Sequence, residues 1–75
     1  MLQKLKSEYS QKIVDDVVLA ALIAKLFDKS VITIQRWAAA DHLNLALPAV
    51  VKIIREHEGL AQDMELVEDR AEVSA

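Results

Sequence analysis

Two histidines are the side chains in this sequence best suited to proton transfer or metal ligation. His42 follows Asp41, and His57 sits between Glu56 and Glu58. Neither has a second histidine three or four residues away, so a metal site would need ligands converging from distant segments. The chain has no cysteine, which removes thiolate ligands, thiol nucleophiles and disulfides together. There is no glycine-rich phosphate loop and no nucleophile elbow. The sequence therefore predicts no enzyme, no cofactor, no metal and no small-molecule substrate. What remains is hydrogen bonding and charge, gathered in one stretch. Lys25, Lys29, Ser30, Thr33, Gln35 and Arg36 lie close together there, with the apolar pair Val31 and Ile32 among them.

The elements that must hold those residues span Ala20 to Ala39, ALIAKLFDKSVITIQRWAAA, two apolar-periodic runs hinged at Asp28-Lys29-Ser30. The first run places Leu22, Ile23, Leu26 and Phe27 on one face, with the small Ala24 among them. The second directs Ile34 and Trp37 inward at a spacing of three, and Ser30 is well suited to cap it. Helices this short do not persist alone in water. They are expected to cross on a shared core, with the outer side of the second left free for a partner.

A small residue, a turn residue four positions later, and apolar residues six and nine beyond the turn fall here on Ala24, Asp28, Ile34 and Trp37. With the words IAKLF, KS and TIQRW, this pattern resembles the helix-turn-helix of lambda-repressor-like and Cro-like DNA-binding proteins. Each position has a physical reason: Ala24 admits the second helix closely, the turn residue takes a positive φ, and the two apolar residues fix the crossing. The motif covers about a quarter of the chain. Family members usually carry glycine at the turn, where this chain has Asp28, a substitution costing roughly 1 kcal/mol.

The resemblance implies a phage- or mobile-element-type transcriptional repressor that binds double-stranded DNA as a homodimer. Its second motif helix would lie in the major groove with its early residues at base edges. By position these are Ser30, Val31, Ile32 and Thr33, with Arg36 one turn later. Arg36 would be the main base reader, since a guanidinium bridges guanine O6 and N7. Ser30 is already explained by its capping role. Lys25, Lys29 and Gln35 flank the motif within reach of phosphates, and Lys52 and Arg55 lie three apart further on. Val31 and Ile32 leave three readings open. They could meet thymine methyls, they could anchor a protein partner in a module that does not bind DNA, or one could complete the core.

Length and composition agree with a small helical domain. Seventy-five residues leave little room for both a core and an enzyme pocket. One glycine, one proline and 53% apolar residues point to an all-α fold of four or five short helices with an aliphatic core. The polar N-terminus lacks the apolar stretch of a signal peptide, and the longest uncharged apolar run is Val17 to Ala24, too short to span a bilayer. A soluble, cytoplasmic protein is expected. The net charge of −3 is unevenly divided: residues 1–60 carry eight Lys/Arg against seven Asp/Glu, and residues 61–75 one arginine against five acids. A half so weakly basic needs two protomers to hold DNA well.

In chain order, a first helix is expected from about Ser7 or Ser10, with Ile13, Val14, Val17 and Val18 on one face and a bend near Asp15-Asp16. Residues 43–47 read as an extended loop tucking Leu43, Leu45 and Leu47 into the core. Pro48 opens the next helix, which buries Val50, Val51, Ile53 and Ile54 and stops near Gly59. Residues 1–60 thus form the helix-turn-helix domain. Residues 61–75 form an acidic segment, a short helix or disordered, whose Met64, Leu66 and Val67 are the expected seat of a second protomer.

Overall fold

The computed structural model describes residues 3–69, and its elements follow from how each helix is started and stopped. After a short strand, β1 (Gln3–Leu5), helix α1 runs over Ser7–Asp15. Asp16 then takes an extended conformation (φ −116°, ψ 100°) and breaks the helical path. Its side chain opens α2 (Val17–Phe27): Oδ1 accepts from the Val18 N–H at 3.0 Å and the Leu19 N–H at 3.2 Å. The expected bend is present, with Asp16 as the cap of the new helix.

A tight turn leads to α3 (Val31–Ala39), and a 3-10 turn over Leu43–Ala46 precedes α4 (Pro48–Glu58). Pro48 stands at the start of α4, where its missing N–H costs nothing. Gly59 closes the helix with φ 66°, and the Leu60 N–H reaches back to the Arg55 carbonyl at 2.9 Å. Among the described residues, four short α-helices surround an aliphatic core, as the composition implies. The expected leucine loop is instead the 3-10 turn with Leu47 just beyond it; Leu45 is buried while Leu43 and Leu47 stay exposed.

The C-terminal segment differs most from expectation. Val67–Asp69 form β2, antiparallel to β1, with Gln3 opposite Asp69, Lys4 opposite Glu68 and Leu5 opposite Val67. A two-stranded ribbon is marginal by itself. This one is held because Leu5 and Leu66 are both buried in the core and the Lys6 N–H donates to the Leu66 carbonyl at 2.9 Å. Lys4 Nζ lies 3.6 Å from both Glu68 and Asp41, tying the ribbon to the end of α3. Residues 61–69 therefore belong to the domain. Leu66 is unavailable to a second protomer, and the Met64 sulfur accepts a hydrogen bond from the Tyr9 hydroxyl at 3.3 Å. The part of the acidic tail beyond Asp69 lies outside the described residues.

The core is built from one side of each helix: Tyr9 and Ile13 from α1, Leu19, Ala20, Ile23 and Ala24 from α2, Ile34 and Ala38 from α3, Val50 and Ile54 from α4. Val17, Val18, Leu22 and Leu26, all expected to face inward, are exposed. α2 is apolar almost all round, and the side that packs carries Ala20 and Ala24 while Ala21 is exposed.

Candidate functional site

The turn between α2 and α3 rests on backbone geometry. Asp28 is left-handed (φ 55°, ψ 44°), and the Lys29 N–H bonds the Ala24 carbonyl at 3.0 Å, closing α2 in the manner in which Gly59 closes α4. Ser30 then returns to extended backbone (φ −78°, ψ 157°), and its Oγ accepts from the Thr33 N–H at 3.2 Å. The Ser30 and Thr33 hydroxyls also share a hydrogen bond of 2.9 Å. Ala24 is buried where α3 crosses, and Ile34 and Ala38 are the residues of α3 that enter the core.

Trp37 sits at the edge of the core, half-buried, and is not one of its central members. Its ring meets Phe27 edge-on at 5.2 Å and stacks on His42 at 4.5 Å, with planes 18° apart. His42 in turn accepts the Asn44 N–H on Nδ1 at 3.1 Å, opening the 3-10 turn. One of the two histidines thus has a structural task.

With Ile34 and Ala38 facing inward, Ile32 and Arg36 share the opposite side of α3, four residues apart. Ile32 is 62% exposed. Arg36 is exposed, and among the described residues it makes neither an ion pair nor a side-chain hydrogen bond. Lys29 and Ser30 are exposed at the N-terminal end of the same helix, and Thr33 is half-buried beside them. Val31 is half-buried and packs on the core, so of the apolar pair it is Val31 that completes the interior.

Two of the flanking residues do not join this group. Gln35 donates its side-chain amide to the Val14 carbonyl at 3.0 Å, spanning α3 to α1, and is a structural brace. Lys25 stands two residues before Phe27, so the helical step of 100° per residue puts it on the opposite side of α2 from the ring that meets α3. Arg55 is engaged too: its guanidinium donates to the Ala61 and Met64 carbonyls at 3.1 and 2.7 Å and fixes the chain after α4.

A second cluster was not legible from sequence spacing. His57 Nε2 lies 3.0 Å from Asp16 Oδ2 and 3.7 Å from a Glu58 oxygen, and Lys12 Nζ is 3.1 Å from the other Glu58 oxygen. The three acceptor-bearing groups are close enough to surround an ion. However, Asp16 is already committed to two helix N–H groups and Glu58 to an ammonium, so the arrangement is that of an ionic clasp. The hydrogen bond to His57, followed by the Leu19 N–H, holds the Asp16 carboxyl below its ordinary value of 3.8, against the opposing effect of burial.

Among the described residues, no helix is long and apolar enough to cross a membrane. Comparison with protein-family models, curated proteins and solved structures returned no match to this chain.

Proposed function

We propose that this chain binds double-stranded DNA through α3 and acts, as a homodimer, as a small transcriptional repressor of the lambda-repressor-like kind. The observation that carries this reading is the division of α3 into two sides. Ile34 and Ala38 hold one side in the core, while Arg36 on the other is exposed and makes no ion pair among the described residues. A helix presented in this way fits the major groove. Arg36 supplies the bidentate donor for guanine, and Ile32 the methyl groups that pack on thymine. Lys29 and the positive end of α3 face the phosphates. Lys29 and Arg36, around the turn, are in none of the ion pairs among the described residues, nor are Lys6, Lys25 and Lys52, whereas Lys4 and Lys12 are paired with acids and Arg55 with carbonyls.

The test is selection of bound duplexes from random sequence at low salt, followed by anisotropy titration. Arg36→Ala is expected to cost about 1–3 kcal/mol against the selected site and to relax preference at one base pair. Equal binding by wild type and Arg36→Ala removes the base reader, and failure to enrich any sequence overturns the proposal.

One observation favours a second reading. Ile32 is the one large apolar residue of α3 that is exposed, in a place where a groove-facing helix commonly carries an amide or hydroxyl. In that reading the helix anchors a protein partner, DNA affinity shows no salt dependence, and Ile32→Glu abolishes the partner contact.

A further inference from the structure

The outer face of α2 is the largest feature the proposed DNA contact leaves unused. Val17, Val18, Leu22 and Leu26 are 61, 62, 44 and 46% exposed, Ala21 is exposed between them, and Lys25 is the single charge on that face. Val18, Leu22 and Leu26 follow one another at intervals of four and form a straight stripe. Beside it, Leu22 and Ile53 of α4 line a shallow groove of about 340 Å³ bordered by Glu56 and His57, with room for an aliphatic side chain.

We infer that this face pairs with the same face of a second copy, α2 lying antiparallel to α2 about a two-fold axis near Leu22. This deepens the dimeric part of the proposed function and rests on that part alone. Three physical arguments choose this occupant. Antiparallel pairing sets Val18 against the partner copy's Leu26, so the stripe is its own complement. It also brings Lys25 and Lys29, at the C-terminal end of α2, to the partner copy's N-terminal end. There Asp15 is exposed, although Asp28 is an acid among those lysines. Opposed helix dipoles favour the same direction.

Size sets the strength of the pairing. Four half-exposed aliphatic side chains offer only a few hundred Å², well under the roughly 800 Å² per partner of a standard interface. A patch this small on each copy predicts a weak dimer, which the concentration range of the test must cover. An anionic membrane surface fits poorly, because Asp15, Asp16 and Glu56 rim the face and Lys25 is its one cation.

The experiment is sedimentation equilibrium of the full chain without DNA, from about 1 μM to 1 mM. Wild type is expected to rise from 8.4 kDa toward twice that mass. Leu22→Glu is expected to stay monomeric across the range with unchanged helical circular dichroism. Lys25→Glu should weaken the dimer several-fold, and adding Asp15→Lys should restore it. A wild type that remains monomeric at 1 mM, a dimer that survives Leu22→Glu, or a charge swap without rescue overturns the inference. None of these outcomes touches DNA binding by α3, which the duplex selection tests separately.

Discussion

Asp16 and Asp28 stand at the two ends of α2 and make its junctions in opposite ways. Asp16 works through its side chain: one carboxylate oxygen gathers the first N–H groups of α2 and the other meets His57. Asp28 works through its backbone, accepting a left-handed conformation so that the Lys29 N–H can reach Ala24. At the first junction a carboxylate is required and the conformation is ordinary. At the second the conformation is unusual, and no side-chain hydrogen bond of Asp28 is found among the described residues. One residue type thus supports two junctions whose sensitivities should not overlap.

The largest test of that contrast leaves both aspartates alone. If the Asp28 junction is held by the helix beyond it, removing the anchor of α3 should matter most. Ile34→Ala is expected to cost about 2–5 kcal/mol in urea unfolding, a large share of what a domain this size has. A loss below about 1 kcal/mol would mean that the turn is self-supporting.

Next comes Asp16→Ala, which removes a cap and the clasp to His57 together and should lower Tm by several degrees at neutral pH. The direction of its pH dependence follows from the lowered carboxyl. The folded state prefers the carboxylate, so the stabilisation is complete above the ordinary value of 3.8 and fades as pH falls through the lower, folded value. The Tm difference between wild type and Asp16→Ala should therefore close in acid. A difference that persists unchanged well below pH 3.8 would assign the effect to packing. The smallest effect is expected from Asp28→Gly. It relieves the left-handed strain and should gain up to about 1 kcal/mol, less what the looser unfolded chain takes back. The same substitution at Asp16 should destabilise.

The parts of this fold readable from sequence were those with a local physical signature. Ser30, Pro48 and Gly59 mark helix ends by what their backbones and hydroxyls can do, and Asp16 and Asp28 marked the junctions. The small Ala24 and the buried Ile34 followed from spacing. Rotational phase was harder. α2 is apolar on nearly every side, so periodicity could not say that Ile23, Ala20 and Ala24 pack while Leu22 and Leu26 remain outside. Gln35 reads as an ordinary surface amide until Val14 is brought near it by the crossing of α1 and α3. The ribbon left almost no trace, because three residues such as Gln3-Lys4-Leu5 are too few for an alternation to register.

That ribbon sets the order in which the molecule can be finished. Helices α1 to α4 lie in sequence between its two strands, so a growing polypeptide has these helices available while Leu5 still waits for its cover. Closing so long a loop comes late on entropic grounds. Until Leu66 is in place the body has an open seam beside Leu5, so docking of this segment is the step that seals the core.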